Sequence, residues 1–276
     1  MRRLSSNLRL AVLALATGLT ISISGPAGAG TLSKSGQLAE AQRVETPKAD
    51  APRVTAPSAF QITPYVWAAG LGGDLAVGSR TVTIDKSFSD LLSDLDGAFF
   101  VSAFGRQGRL VFLGDLSWSS SSRAGILPPP APPLPAEGRL RQISATAAAG
   151  YRVADSPAAT LDVLGGLRHW RLKATAEAPA LGFSATRRAS FTDPIIGARL
   201  NARLAPDWSA LVYADVGGFG VGSEFTGQIV ATVNYAATDQ FFLSAGYRHL
   251  HVDYRGSGLR ADMRMSGPLL GASWRF

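Results

Sequence analysis

Three histidines are the residues whose type and spacing most readily suggest chemistry. His249 and His251 stand two residues apart, so they share one face of any strand that contains them, and two imidazoles on one face could bind a metal ion. His169 occupies the equivalent place in a similar segment, because Gly-Leu-Arg-His at 166–169 matches Gly-Tyr-Arg-His at 246–249. An imidazole can also lie among the polar headgroups of a membrane surface. The elements that carry these residues decide between the two interpretations.

A histidine beside a carboxylate is the second arrangement with chemical potential, because such pairs activate nucleophiles in hydrolases. His251 with Asp253 is the nearest such pair in the sequence. The segment 247–254 matches no hydrolase motif, and the glycines of 217–222 lack the strand-to-helix setting of a phosphate-binding loop. The sequence therefore predicts no catalytic residue, no metal site and no cofactor.

Charged residues within otherwise apolar segments form the third candidate group. Its members are Arg168, Arg199, Arg203, Arg248 and Arg275, with Asp115, Asp162 and Asp215. Buried charges must find partners of opposite sign. These residues form an ion-pair network if their strands direct them into one interior.

The elements that would position these residues are segments of about ten to fifteen residues, rich in β-branched, aromatic and small side chains, which begin at Phe60. Ten segments can be drawn, at 60–70, 97–106, 109–119, 139–153, 159–174, 191–204, 208–218, 226–236, 240–254 and 263–276. Short turns alternate with longer loops between them, which predicts a closed antiparallel β-barrel with both termini on the periplasmic side. Segment 80–88 also alternates, so twelve strands remain open, as do eight with long hairpins.

Alternation within the segments predicts which side chains meet lipid. In 263–276, Leu270, Trp274 and Phe276 share one face and Arg275 lies on the other. The apolar face is predicted to meet lipid. By the same alternation, the candidate arginines and aspartates point into the lumen, and the three histidines point outward near the external rim, where we expect them to contact lipid headgroups. A soluble β-sandwich also alternates, but the strand lengths, the aromatic terminus and the N-terminus favour a membrane barrel.

The N-terminus has the order of a secretory signal, with Arg2 and Arg3, an apolar stretch over 10–23 and small residues before Gly30. That stretch falls short of the ~20 residues of a spanning helix. We predict a Sec signal peptide at 1–29, a disordered periplasmic linker at 30–58 and the barrel at 60–276. Loss of the signal lowers the formal charge of +7, and the remaining charge is too small to indicate nucleic-acid binding.

Segment 87–96 interrupts the strand pattern. Phe88, Leu91, Leu92 and Leu95 recur at helical spacing behind Ser87. This predicts a short amphipathic helix that lies in or over the lumen and obstructs it. The proline-rich segment 120–138 is predicted to be an extended, stiff surface loop.

Several stretches resemble a group of largely uncharacterised proteobacterial outer-membrane barrel proteins. They are TPYVWAAG (63–70), FSDLLSDLD (88–96), LDVLGGLRHW (161–170), DPIIG (193–197), ADVGGFGVGS (214–223), GYRHLHVDY (246–254) and GPLLGASWRF (267–276). The resemblance implies the fold and the outer membrane as location, and it implies no catalytic residue. Leu270, Trp274 and Phe276 also look like the C-terminal signal that the barrel-assembly machinery recognises.

These observations predict an outer-membrane barrel with a structural or interaction role and a filled lumen. Its expected partners are outer-membrane lipid, lipopolysaccharide and the barrel-assembly machinery, with its oligomeric state open. One alternative is a narrow channel in which the arginines pass small anionic solutes. A less favoured alternative is a surface hydrolase that acts on lipid A or peptides.

Overall fold

Twelve strands make up most of the part of the chain that the structure, a computed structural model, describes: residues 58–77, 80–126, 135–256 and 259–276. They are β1 (Ser58–Trp67), β2 (Gly70–Val77), β3 (Arg80–Lys86), β4 (Leu95–Gln107), β5 (Leu110–Ile126), β6 (Pro135–Asp155), β7 (Ala159–Ala178), β8 (Phe183–Ala205), β9 (Trp208–Gly218), β10 (Phe225–Ala236), β11 (Phe241–Gly256) and β12 (Leu259–Arg275). One helix, α1 (Phe88–Asp94), precedes β4, and one turn of 3-10 helix (Pro179–Leu181) joins β7 to β8. The predicted signal peptide and nearly all of the predicted linker lie outside the described residues.

Ten of these strands, β1 and β4–β12, form a closed antiparallel ring. The ring closes where β1 pairs with β12, from Gln61 opposite Arg275 to Trp67 opposite Leu269. On its other side β1 pairs with β4. The predicted fold class and the predicted ring of about ten strands are therefore confirmed.

The remaining two strands form a hairpin that extends the wall beyond β1. β12 continues past its contact with β1 and pairs with β2 from Ser266 opposite Gly70 to Leu259 opposite Val77. Gly267 lies at the changeover, where a Cβ would come within 1.9 Å of the carbonyl oxygen of Ala68. Only glycine leaves room for that approach. Thus 71–96, drawn from the sequence as a loop with a possible strand at 80–88, contains a complete β-hairpin before α1.

Strand length changes around the ring. β9 and β10 have 11 and 12 residues, close to the ~9–11 that cross a bilayer. β5, β6, β7 and β8 have 17, 21, 20 and 23 residues. The predicted loop at 175–190 is therefore largely wrong, and the loop predicted at 120–138 is wrong at its described ends, because backbone pairing continues past the predicted strand ends to Ile126, Pro135, Ala178 and Phe183. Residues 127–134, the middle of the predicted stiff loop, lie outside the described residues.

The outer face of the ring is apolar and exposed. Its large aliphatic side chains include Ile62, Val66, Leu116, Val163, Leu167, Ile196, Leu200, Val212, Val216, Ile229, Val233, Leu243 and Leu270. Exposed aromatic residues follow at the end where β1 begins and β12 ends: Phe60, Phe112, Tyr151, Trp208, Tyr235, Trp274 and Phe276. In barrels of this kind the short turns and termini are periplasmic and the longer hairpins are extracellular, and the two ends are named accordingly below. Among the described residues, no helix has the length and apolar character needed to cross a membrane.

The interior contains two apolar clusters as well as charges. The larger one contains Trp67, Trp170, Ala189, Phe191, Leu250, Val252, Tyr254, Ala261, Met263, Met265 and Leu269. Its Phe191 and Tyr254 rings stack with centroids 4.2 Å apart, which joins β8 to β11 beyond the short β9–β10 hairpin. The smaller cluster is Val111, Ala148, Leu164 and Tyr213. Side chains thus fill much of the interior, as expected for a narrow barrel.

Candidate functional site

Arg168 on β7 and Asp215 on β9 form a buried ion pair. The Nη2 atom of Arg168 donates to Oδ2 of Asp215 at 2.6 Å, and neither side chain has any exposed area. Arg168 also donates from Nε to the hydroxyl of Thr146 (3.1 Å) and from Nη1 to that of Thr226 (3.2 Å). Gln228 donates to the same Asp215 oxygen at 2.8 Å. Every nitrogen of the guanidinium therefore has an acceptor, which is the condition under which a buried ion pair is tolerated.

A second pair joins opposite walls of the ring. Arg248 on β11 donates from Nη2 to Oδ1 of Asp115 on β5 at 3.2 Å. The Tyr65 hydroxyl donates to the other oxygen of Asp115 at 2.8 Å and accepts from Nη1 of Arg248. The guanidinium carbon also lies 4.7 Å from the centre of a Trp67 ring, close enough for a cation–π contact. An ion pair, hydrogen bonds and a cation–π contact thus cross the lumen at the same height along the barrel axis.

A third group lies near the periplasmic end around Asp162. Its two oxygens accept from Nε of Arg152 at 2.8 Å and from Nη1 of Arg199 at 3.3 Å. Arg199 also stacks on Phe104, 3.8 Å from the ring centre. Sequence reasoning omitted Arg152, although its position directly opposite Asp162 on β6 and β7 follows from counting outward from the turn between them.

Two predicted members of the network stand apart from it. Arg203 is exposed near the periplasmic end of β8, and within the described ranges it forms no ion pair, so it does not join the buried network. Arg275 donates to the Gln61 side chain at 3.4 Å and lies 4.3 Å from the centre of the Phe242 ring. Both lie close to the periplasmic ends of their strands. Water can solvate a charge there, so neither arginine needs a carboxylate partner.

Asp193 is a buried charge that sequence reasoning missed. It lies directly opposite Arg168 on β8, is fully buried, and accepts from the Ser223 backbone N–H at 2.6 Å. Gly222 makes this contact possible, since a Cβ there would lie 2.4 Å from the Thr192 carbonyl oxygen. Asp193 therefore fastens the β9–β10 hairpin to the barrel wall.

Two small cavities lie in the middle of the interior, in addition to one near the periplasmic end. One of about 130 Å³ is lined by polar side chains that include Tyr65, Asp115 and Arg248. The other, of about 100 Å³, is mainly apolar and is lined by residues that include Trp67 and Leu250. Each has room for a few water molecules or one small molecule.

Helix α1 lies beside the apolar cavity, which Phe88 and Leu95 help to line. Its start is a reciprocal cap, in which the Asp90 N–H donates to the Ser87 hydroxyl at 3.3 Å while the Ser87 N–H and hydroxyl donate to the Asp90 carboxylate. These hydrogen bonds lower the pKa of Asp90. The predicted helix at 87–96 is thus present, shorter by a few residues.

The three histidines face outward near the extracellular end and bond to neighbouring strands. Nδ1 of His249 lies 2.5 Å from the Ser266 hydroxyl, and Nδ1 of His169 lies 2.9 Å from that of Thr192. His251 pairs with Asp262 at 2.9 Å. The pairing of His251 with Asp253 suggested by the sequence is therefore replaced by one with Asp262 across the ladder. No group of three or more His, Asp or Glu in the described ranges is placed to hold a metal ion.

The C-terminal aromatic residues line the outer seam of the ring. Leu270, Trp274 and Phe276 are exposed on the lipid-facing side. Phe276 and Phe60 exchange backbone hydrogen bonds of 2.8 and 3.3 Å. The last residue of the chain is thus hydrogen-bonded to the first strand of the ring.

A closed antiparallel ring with an exposed apolar outer belt and buried charges inside defines the class as an outer-membrane β-barrel. No protein-family model matches the chain, and no curated protein matches it.

Solved structures that resemble the chain include three outer-membrane proteins. The attachment invasion locus protein Ail of Yersinia pestis, in complex with the heparin analogue sucrose octasulfate, is 15% identical over 79% of this chain and 98% of its own, with a TM-score of 0.35. The outer-membrane protease OmpT of Escherichia coli is 10% identical over 80% and 98%, with a TM-score of 0.47. The translocator domain of the autotransporter NalP of Neisseria meningitidis is 16% identical over 81% and 90%, with a TM-score of 0.44.

Proposed function

We propose that this protein is a closed barrel of the outer membrane that serves through contacts at its surface, not by passing solutes or by catalysis. The carrying observation is the filled interior, in which the Arg168–Asp215 and Arg248–Asp115 pairs and the large apolar cluster occupy the lumen. A conducting pore needs a continuous water-filled path. Stacked aromatic rings and ion pairs that cross the interior oppose such a path.

The long hairpins support an interaction role. β5–β6 and β7–β8 extend well beyond the length that crosses a bilayer, so they present a large paired surface outside the membrane. Backbone pairing holds this surface in a fixed shape up to Ile126 and Ala178. A rigid surface suits recognition because little conformational entropy is lost on binding.

A narrow anion path is the second candidate, and one specific observation favours it. A cavity of about 190 Å³ near the periplasmic end is lined by four arginines, Arg106, Arg152, Arg199 and Arg275. A small anion could enter this cavity from the periplasm. Beyond it the carboxylates of Asp162 and Asp115 and the apolar cluster lie in the way, so we propose a vestibule instead of a channel.

Conductance in planar lipid bilayers separates the two candidates. We expect the refolded chain to insert, as judged by a heat-dependent gel shift, without steady conductance. The double variant Trp170→Ala and Phe191→Ala removes the stacked rings of the larger cluster and should raise conductance above the wild-type level. Stable, anion-preferring channels formed by the wild-type protein would overturn the closed barrel and favour the arginine path.

Hydrolysis at the outer rim has one geometric argument, the close approach of His249 to Ser266. A serine nucleophile also needs a group that orients the histidine. In the described part of the chain, no carboxylate bonds to His249. The similar bond between His169 and Thr192 supports cross-strand hydrogen bonding at the membrane surface as the common role. We therefore propose that the protein is not an enzyme. Ester hydrolysis by wild-type protein that is lost in Ser266→Ala would contradict this.

A further inference from the structure

Three cations lie side by side on the outer face of β6, β7 and β8. Arg141 is directly opposite Lys173, and Lys173 is directly opposite Arg188. Neighbours in such a row have Cβ atoms ~5 Å apart. All three face away from the lumen, because Gln142 and Ala189, their neighbours in sequence, are buried. We call Arg141, Lys173 and Arg188 the basic row.

No carboxylate of the chain bonds to this row, although Glu137 and Glu177 line a cavity together with Arg141 and Lys173, and Asp96 lies within the electrostatic reach of Arg141. Arg139, one alternation step from Arg141, is paired with Glu137 at 3.1 Å. For the members of the basic row, no ion pair exists among the described residues. Like charges placed directly opposite each other destabilise a sheet. Three adjacent cations without a bonded carboxylate can therefore accept anions from outside the chain.

A row of opposite sign elsewhere on the barrel supplies the comparison. Asp253, Asp262 and Asp74 lie directly opposite one another on β11, β12 and β2. Asp262 pairs with His251 and Arg264, Asp253 pairs with Arg255, and Asp74 accepts from Thr83. Ion pairs or a hydrogen bond within the chain thus reach every member of the acidic row, whereas the described residues provide no such bond to the basic row.

The position of the basic row identifies the kind of anion. On β7 the same outward face holds Lys173, Arg171, His169 and then the exposed apolar Leu167 and Val163. Arg171 and Lys173 lie four and six residues beyond Leu167, ~13 and ~20 Å along a strand that rises ~3.3 Å per residue. Strand tilt reduces these distances to ~10 and ~15 Å along the membrane normal, so the row lies beyond the apolar band, on the side where phosphate-bearing headgroups are found.

On the membrane side of the basic row, the outer surface is suited to the apolar part of a phosphate-bearing lipid. Ala145, Ala147 and Ala149 face outward on β6, between Leu116 on β5 and Leu167 on β7. Small side chains flanked by larger ones leave a shallow apolar depression along the strand. A ligand that carries phosphates above and acyl chains below would match both parts.

We propose that the basic row, assisted by Arg171, binds the phosphate groups of an outer-leaflet glycolipid, the lipid A portion of lipopolysaccharide. This inference rests on the outer-membrane location in the proposed function and is independent of whether the lumen is closed. Each cation forms a charge-assisted hydrogen bond to a phosphate oxygen. The acyl chains of the same molecule cover the alanine depression.

The test titrates the refolded full chain in zwitterionic detergent micelles with bisphosphorylated lipid A and counts bound lipid by native mass spectrometry. Each cation near an anionic lipid surface contributes ~1 kcal/mol, so Lys173→Gln should weaken binding about fivefold and Lys173→Gln with Arg188→Gln about 25-fold. The control, Arg255→Gln with Arg264→Gln, removes two exposed cations beside the acidic row and should leave the affinity unchanged. A heat-dependent gel shift checks the folding of each variant, and the single variant serves if the double one fails to fold.

A stability measurement gives a second test, in which the effect of Lys173→Gln on the unfolding temperature should change sign when lipid A is added. Without lipid A, Lys173→Gln relieves repulsion within the row and should raise the unfolding temperature. With lipid A present it should lower that temperature relative to wild type. Equal binding by the variants, an equal loss in the control, or equal binding of dephosphorylated lipid A would overturn the proposal. Displacement of lipid A by millimolar inorganic phosphate would also overturn it, because it would indicate a site for free anions. None of these outcomes depends on whether the barrel conducts ions, so the lipid A site and the closed lumen are tested separately.

Discussion

Replacing Arg168 by methionine should destabilise the barrel far more than the loss of one ion pair in water would. The side chain has no exposed area, and its three donors reach Asp215, Thr146 and Thr226. Without it, Asp215 keeps Gln228 as a donor but loses its nearest positive charge while it stays buried. Leaving one member of such a pair unpartnered costs about 3 to 5 kcal/mol.

The free energy of unfolding can be measured by urea titration of the refolded barrel in lipid vesicles, followed by tryptophan fluorescence. We expect Arg168→Met to lower it by about 4 kcal/mol. The double variant Arg168→Met and Asp215→Leu should recover part of the loss, because it removes the Asp215 carboxylate, whereas Asp193, directly opposite position 168, stays buried. Arg203→Met is the matched control. That arginine is exposed, and a change there should stay within about 0.5 kcal/mol.

The reasoning fails if Arg168→Met and Arg203→Met have the same small effect. It also fails if the double variant is less stable than Arg168→Met alone, since the cost would then come from lost packing and not from an unpaired carboxylate. A double-mutant cycle separates the two causes because the coupling term isolates the pair.

Three further outcomes are expected. Deletion of Phe276 should leave unfolded protein in the periplasm, detected as loss of the heat-dependent gel shift, and insertion at the wild-type rate would place the assembly signal elsewhere. Amino-terminal sequencing of protein from outer-membrane fractions should start at Gly30, whereas an intact 10–23 segment in the inner membrane would contradict cleavage after Ala29. Ser87→Ala should speed hydrogen exchange in α1 about fivefold by removing its cap. Because Asp90 has a lowered pKa in the folded state, its contribution to the cap should be present at neutral pH and lost as pH falls through that pKa, and exchange that does not respond to acid would refute this role.

The strands that cross the membrane could be predicted closely from sequence. Segment 208–218 matches β9 at both ends, with Trp208 and Val216 exposed and Asp215 buried. Lipid on one side and a packed lumen on the other require a change of polarity at every second residue. The sequence therefore alternates between apolar and polar residues wherever a strand contacts both lipid and lumen.

The extensions beyond the membrane could not be predicted in the same way. Residues 119–122 of β5 are four serines, and they pair with β6 as regularly as the residues before them. Outside the bilayer both faces of a hairpin can meet water, so alternation no longer marks a strand. In the β2–β3 hairpin, the sequence offered β3 only as a possible strand and did not define β2. The hairpin depends on a close backbone approach at Gly267, which no local sequence pattern indicates.

The pairing of charged residues within the lumen could not be predicted from the sequence either. Arg248 and Asp115 are 133 residues apart and meet only because the ring closes. Alternation fixes the direction of each side chain, but the choice among Asp162, Asp193 and Asp215 for Arg168 depends on strand stagger. Stagger is set by closure of the whole ring, so it is not a property of any one strand.

The treatment of charge on the two faces follows from what each environment can supply. Inside the ring there is little room for water, so Arg168 and Arg248 need carboxylates from the chain itself, and both have them. Outside, Arg203 near the periplasmic end is solvated by water. Lys173 faces a region where water, phosphate and acyl chains meet, and there the membrane can supply the anion that the chain omits. On this reasoning the basic row without ion pairs and the buried pairs of Arg168 and Arg248 arise from one rule: a charge stays where its surroundings, protein or lipid, can neutralise it.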